Sequence, residues 1–273
     1  MNNVLKTLML PTTSYYKKHV LITGGATGIG LTLAKSYAEL GSHVTICSRN
    51  EERLKEAAKS HDNISYRVLD IRDLKGIQRM ASEFAEKKEL PDVLINNAAG
   101  NFISPTENLS QNAWNSIIDI VLKGTFGVTH EFGKRLIAEK KPAVFLNIST
   151  TYAQTGSSYV VPSSMAKSGC DNLTKSLASE WAKYGLRFNS IALGPVYTEG
   201  AFSRLDPEGK FQTQGINNLC IKRMGEKEEV ANLATYLTSD YASWITGCII
   251  NLDGGETVWK SGEFNQVKLS SKL

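Results

Sequence analysis

Between His19 and about Asp253, short apolar runs alternate with amphipathic segments, and few folds accept such a chain. The runs are HVLITG (19–24), HVTICSR (43–49), ISYRVLD (64–70), DVLINNA (92–98), AVFLNIS (143–149), RFNSIAL (187–193) and CIINLDG (248–254). Each has the length and composition of a buried strand. The segments between them read as helices. One starts near Gly28. Asn50 caps the next, with Glu51 and Glu52 in the first turn, where the helix dipole favours them. Asp73 caps the third. Ser110 begins a long helix whose apolar positions, Trp114, Ile117, Ile118, Val121 and Leu122, recur at helical spacing. Another helix runs from about Ser163 to Tyr184 with Gly185 at its C′ position, and EVANLATYLTS (229–239) lies on the last.

Strands joined by crossovers of this length run parallel and are covered by helices on both faces. No linker, repeat or low-complexity stretch divides the 273 residues, and 41% hydrophobic content supplies a sizeable core. The expected fold is α/β, a single doubly wound parallel sheet of about seven strands. Such sheets bind ligands at the carboxyl ends of their strands, where the strand order reverses. A net charge of +4 with interspersed signs offers no basic block for nucleic acid. No apolar run is long enough to span a bilayer. Cys47, Cys170, Cys220 and Cys248 are far apart, as free thiols in a reducing compartment would be, and the four histidines form no metal constellation.

The glycine-rich stretch TGGATGIG (23–30) falls between the first strand and the first helix. Gly24, Gly25, Gly28 and Gly30, with Thr27 and Ile29, suit a dinucleotide loop: glycine permits tight turns and close approach to pyrophosphate, and the helix start offers unpaired N–H groups. This makes the sheet Rossmann-type. The second strand ends in Ser48 and Arg49 where an NAD site would carry an acid, and a guanidinium beside a hydroxyl suits a 2′-phosphate, so NADP(H) is the expected cofactor. Asp70, at the end of the third strand, is expected to hydrogen-bond adenine. The expected organisation is an N-terminal arm (1–18), an NADP-binding catalytic domain (19–260) and a C-terminal tail (261–273).

TGGATGIG, INNAAG (95–100), Lys167 on the sixth helix and LGPV (193–196) together resemble the short-chain dehydrogenase/reductase family over nearly the whole chain. That resemblance adds Leu193, Gly194, Pro195, Val196 and Lys167 to the cofactor site. It also exposes a departure. The family's tyrosine stands four residues before its lysine, and Ser163 occupies that place here; Val121 holds the place of the family's asparagine and Thr150 lies close to that of its serine. Longer strings, NNAAGNFISPTENLSQNAWNSIIDIVLKGT (96–125), TYAQTGSSYVVPSSMAKSG (151–169), GAFSRLDPEG (200–209) and SDYASWITG (239–247), resemble the 2,4-dienoyl-CoA reductase branch, mitochondrial type. This implies a different catalytic tyrosine, Tyr152, with Asn101, Ser163 and Lys167 as companions. It also implies an acyl-CoA substrate touched by Arg72, Asn101, Phe102, Ser110, Tyr152 and Arg204, and a homotetramer.

The chemistry agrees with that exchange. Reducing a carbonyl requires protonation of an alkoxide, which suits a tyrosine beside a lysine. Reducing a dienoyl thioester requires stabilisation of an enolate oxygen, which suits two neutral donors, Tyr152 O–H and the Asn101 amide. Ser163 and Lys167, one helical turn apart, share a face. Lys167 is expected to hold the nicotinamide ribose, and Ser163 to anchor Lys167 or a proton-supplying water. The competing expectations are a different short-chain reductase acting on a ketone or another enoyl thioester, and a silent NADPH-binding scaffold. Ser271, Lys272 and Leu273 read as an address recognised by a peroxisomal import receptor. The start, with lysines and no acidic residue, leaves a mitochondrial location as the alternative, although it lacks the arginines of a typical presequence.

Overall fold

The structure, a computed structural model, describes residues 7–200 and 215–259. Its centre is a sheet of seven strands in the order β3-β2-β1-β4-β5-β6-β7: β1 (His19–Thr23), β2 (His43–Ser48), β3 (Ile64–Val68), β4 (Val93–Asn96), β5 (Ala143–Thr150), β6 (Leu186–Leu193) and β7 (Ile249–Leu252). Every pairing is parallel. The helices are α1 (Gly28–Glu39), α2 (Glu51–Ala58), α3 (Leu74–Glu86), α4 (Gln111–Ile117), α5 (Thr125–Ala138), α6 (Tyr152–Thr155), α7 (Val161–Trp181) and α8 (Lys227–Thr238). The expected doubly wound α/β architecture is the observed one.

The side-chain alternation of the strands builds a core on each face. Val20 and Ile22 of β1 join Leu33 and Tyr37 of α1 and Val230 and Leu237 of α8. Leu21, between them in sequence, points to the other face and joins Ile77 of α3, Phe132 of α5 and Leu177 of α7. The segment before β1 is anchored too: Tyr15 is fully buried and its hydroxyl donates to Thr235 O of α8 at 2.6 Å. No helix among the described residues is long and apolar enough to cross a membrane.

The capping expectations meet different fates. Asn50 Oδ1 accepts Arg53 N–H at 2.9 Å, and Ser110 Oγ accepts Ala113 N–H at 3.2 Å. Asp73 occupies the N-cap position of α3 without a side-chain capping bond; its carboxylate faces Arg79 at 3.4 Å instead. The long helix expected after Ser110 is interrupted by a π-helical turn, Ile118–Gly124. That turn carries the fully buried Val121 against α7, where Cys170 Sγ–H donates to Val121 O at 3.3 Å. Interruptions of this kind recur next to functional sites.

Strand order reverses between β1 and β4, so the crevice at the carboxyl ends opens there. Behind it, buried polar groups lock the strands in register. Asn96 Nδ2 donates to Asn147 Oδ1 at 2.8 Å and to Thr129 Oγ1 at 2.9 Å, Asn147 Nδ2 donates to Thr174 Oγ1 at 2.8 Å, and Thr174 meets Ser190 at 2.8 Å. The network ties β4, β5, β6, α5 and α7 together directly below the loops that carry the candidate site.

Candidate active site

The glycine loop leaves β1 and enters α1 with Gly24 and Gly28 in the left-handed region, φ +65° and +54°. Close packing explains two of its glycines. A Cβ on Gly30 would lie 2.3 Å from Gly24 O, and one on Gly25 would lie 2.5 Å from Ile46 Cγ2. Thr27 is the extended N-cap residue of α1, and Ile29 packs on the adjoining core. The loop is fastened from just after β4 by Asn97, which lies within INNAAG but has no role assigned to it from the sequence. Asn97 Nδ2 donates to both Thr23 O and Gly24 O at 3.0 Å, while Thr23 Oγ1 accepts Asn97 N–H at 3.0 Å and Ala98 N–H at 3.1 Å. Its signal was its place, immediately after β4 and opposite the loop.

At the end of β2, Ser48 Oγ is inaccessible and without a hydrogen-bond partner among the described residues, and Arg49 next to it is exposed. An orphaned hydroxyl beside an exposed guanidinium suits a phosphate. Asp70 follows β3, but its carboxylate is engaged: Arg72 Nε donates to both oxygens at 3.0 Å. Its carboxyl is held below the ordinary value, chiefly by the Arg72 hydrogen bond. Two residues expected to bind different ligands thus bind one another here. Across the crevice, Leu193 ends β6, and the Gly194–Val196 stretch is fixed by Gly225 N–H donating to Pro195 O at 3.0 Å.

Tyr152 opens the one-turn helix α6, immediately after Thr150 ends β5 and Thr151 links the two. Its phenol oxygen stands between two side chains. Asn101 Nδ2 donates to it from 3.3 Å, and Ser163 Oγ lies 3.1 Å away. Asn101 is oriented by Phe102 N–H, which donates to Asn101 Oδ1 at 2.9 Å and so leaves the amide N–H side facing the phenol. The loops bearing the pair are linked by Ser104 N–H donating to Tyr159 O at 2.9 Å. Ser164 Oγ–H clamps Tyr152 O at 2.8 Å, pinning α6 on α7.

Lys167, one turn beyond Ser163, is 6% exposed. Its ammonium donates to Ile148 O of β5, and no hydrogen bond joins it to Ser163. Burial pulls it below the ordinary lysine range, against the opposing pull of Cys170 and Asp171. The four candidates therefore divide into a contacting triad, Asn101–Tyr152–Ser163, and a separate buried ammonium. Phe102 packs against the small core cluster of Ile117, Val121, Ala166 and Cys170, and Ser110 is used as the α4 cap. Arg204 and the tripeptide Ser271–Lys272–Leu273 lie outside the described residues.

The profile of the family described as Enoyl-(Acyl carrier protein) reductase matches residues 24–257. A solved short chain dehydrogenase from Bacillus anthracis is 39% identical, superposes with a TM-score of 0.81, and shares 90% of this chain and 98% of its own. The chain belongs to the short-chain dehydrogenase/reductase family. Other relatives narrow the comparison. An uncharacterized oxidoreductase of Caenorhabditis elegans is 47% identical over 93% of this chain and 83% of its own. A protein of the same organism named as a probable (3E)-enoyl-CoA-producing 2,4-dienoyl-CoA reductase is 42% identical over 95% and 86%. A Bacillus subtilis protein named as a probable (2E)-enoyl-CoA-producing 2,4-dienoyl-CoA reductase is 42% identical over 88% and 96%. A gluconate 5-dehydrogenase from Burkholderia cenocepacia, solved with NADP and tartrate, is 26% identical with a TM-score of 0.84 over 90% of this chain and 98% of its own. In this short-chain reductase the Ser163 hydroxyl touches the phenol of Tyr152, 11 residues earlier.

Proposed function

We propose that this short-chain reductase reduces 2,4-dienoyl-CoA thioesters to enoyl-CoA with NADPH, the 3-enoyl product being the expected one. The observation that carries the reading is the contact between Asn101 Nδ2 and Tyr152 Oη, two neutral donors 3.3 Å apart at the carboxyl ends of β4 and β5. A spacing of this size lets both donors reach a single acceptor oxygen.

The residues around the glycine loop, with Ser48, Arg49 and Lys167, would hold the cofactor. Bound there, NADPH supplies the hydride that the δ-carbon of the diene takes up. The electron pair displaced from the diene moves through the conjugated system to the thioester oxygen. Tyr152 O–H and Asn101 N–H bond to that oxygen as it becomes negative, and each such donor typically contributes about 3–4 kcal/mol to lowering the barrier. A proton from water then adds at the α-carbon, and the remaining double bond lies between the β- and γ-carbons. Ser163, 3.1 Å from Tyr152 Oη, offers the phenol a hydroxyl partner through which a proton is exchanged. Lys167, buried on the same helix, serves the nicotinamide ribose as a fixed ammonium. Arg72 serves the CoA phosphates on release from Asp70.

The test is NADPH consumption with a 2,4-dienoyl-CoA and, in parallel, with simple ketones, followed by product analysis. Turnover of the thioester with formation of an enoyl-CoA supports the proposal. Turnover of ketones with none of the thioester would contradict it.

A further inference from the structure

The turn that presents Tyr152 is gripped from a part of the chain that the proposed chemistry leaves unused. Thr151, 6% exposed, donates its hydroxyl to Glu256 Oε2 at 2.7 Å across 105 residues of sequence. The Thr151 main chain is fixed as well, its N–H donating to Leu193 O at 3.0 Å. Thr151 sits at the N-cap of α6, where a threonine ordinarily turns its hydroxyl on the helix's own N–H groups; here it makes no such bond. A helix of four residues has no stability of its own. The position of Tyr152 is therefore set by tertiary contacts, and Glu256 brings one of them from beyond β7, through Thr151.

Glu256 is in turn well braced. It lies in a turn organised by Asp253, whose carboxylate accepts Gly255 N–H and Thr257 N–H at 2.9 Å and the Thr257 hydroxyl at 2.7 Å. Gly254 and Gly255 occupy the left-handed region at φ +59° and +81°, so the turn is closed to most other residues. The same turn presses on the stretch that follows β6: a Cβ on Gly194 would lie 2.7 Å from Asp253 Cα. One turn thus touches both the stretch expected to meet the nicotinamide and the residue before the phenol.

We infer that Glu256 is a positioning residue for Tyr152, its carboxylate holding the phenol in register with Asn101 through the hydroxyl of Thr151. The inference rests on the reading of Tyr152 as an oxyanion donor. A misplacement of about 1 Å in such a donor costs on the order of a hundredfold in rate. What the bond requires is an acceptor oxygen at Glu256 and a hydroxyl at Thr151. Charge is not required, so a glutamine and a serine satisfy it.

The experiment has two arms on the full chain. In the first, [ζ-13C]tyrosine labelling reports the Tyr152 phenol without substrate, its signal assigned by Tyr152→Phe. Glu256→Ala and Thr151→Val are expected to shift or broaden that signal, and Glu256→Gln and Thr151→Ser to preserve it. In the second, Glu256→Ala is expected to lower kcat for dienoyl-CoA by roughly tenfold or more with the KM for NADPH within about twofold, whereas Glu256→Gln stays within about threefold of the parent. An unmoved Tyr152 signal in both Glu256→Ala and Thr151→Val overturns the inference. So does equal loss of kcat and NADPH affinity in Glu256→Ala and Glu256→Gln alike, the mark of a merely structural role. A parent protein inactive on dienoyl-CoA defeats the functional reading, and the labelling arm then still decides whether Glu256 positions the phenol.

Discussion

The Asn101 amide is useful because its orientation is enforced. With Oδ1 occupied by Phe102 N–H at 2.9 Å, only the N–H side can face the phenol. Asn101→Ala removes one donor and should lower turnover of a dienoyl-CoA by about a hundredfold or more, with NADPH affinity unchanged; steady-state kinetics beside a binding titration would show it. Arg49 makes a different contribution. Loss of a charge-assisted contact to a 2′-phosphate is expected to weaken NADPH binding by about tenfold to a hundredfold in Arg49→Gln while leaving NADH binding unchanged, and parallel titrations with the two cofactors check it. At this scale the sequence was informative where a residue's place on its own element sufficed. Tyr152 and Asn101 came instead from the family resemblance, which their places after β5 and β4 only accompany. Pairings between distant segments were not legible. Nothing near Thr151 announces Glu256, 105 residues further along the chain. Such contacts follow from the three-dimensional meeting of loops, which carries no periodicity.

The strands were legible because each is a short apolar run bounded by polar or turn residues, although β3 and β7 at the sheet edges are mostly half-buried. The observed boundaries fall within a residue or two of the apolar runs, as fraying of the outer ladder residues explains. Helix interiors were less so. The π turn at Ile118–Gly124 keeps the same apolar residues as an unbroken helix, so side-chain spacing alone cannot reveal it. The capping box of α8, in which Glu226 N–H donates to Glu229 Oε2 at 2.9 Å, escaped notice because glutamate is an uncommon N-cap. The junction of β1 with α1 gives the prediction that belongs here. Gly30→Ala would bring a Cβ within 2.3 Å of the Gly24 carbonyl oxygen, so helix and loop must separate. The expected outcome is a loss of stability on the order of 1–3 kcal/mol together with loss of NADPH binding, read by thermal unfolding with and without cofactor.

The molecule keeps its two ends for different purposes. At the amino ends of the strands, His19 is half-buried between Glu89 O at 2.7 Å and Thr45 Oγ1 at 2.8 Å and stacks on Phe84. Burial lowers it from an ordinary 6.5 to about 4, with the Glu89 carbonyl opposing the shift. The unfolded chain takes up this proton near the ordinary value and the folded protein only near the lowered one, so in between the unfolded state binds more protons. Stability from this group is complete above about pH 6.5 and declines as pH falls toward 4, by on the order of 3 kcal/mol. Urea unfolding of His19→Gln beside the parent should show a flatter profile in that window. At the carboxyl ends, the sheet brings the glycine loop, the Gly194–Val196 stretch and the Asn101–Tyr152 pair to one crevice, and the proposed reaction depends on that convergence. The measurement that tests it most directly is the single-turnover rate of Tyr152→Phe with NADPH and a 2,4-dienoyl-CoA, taken with its NADPH dissociation constant. The rate is expected to fall by about a hundredfold to a thousandfold with the dissociation constant within about twofold of the parent. A rate unchanged by the substitution, or one lost in proportion to NADPH binding, would contradict the account.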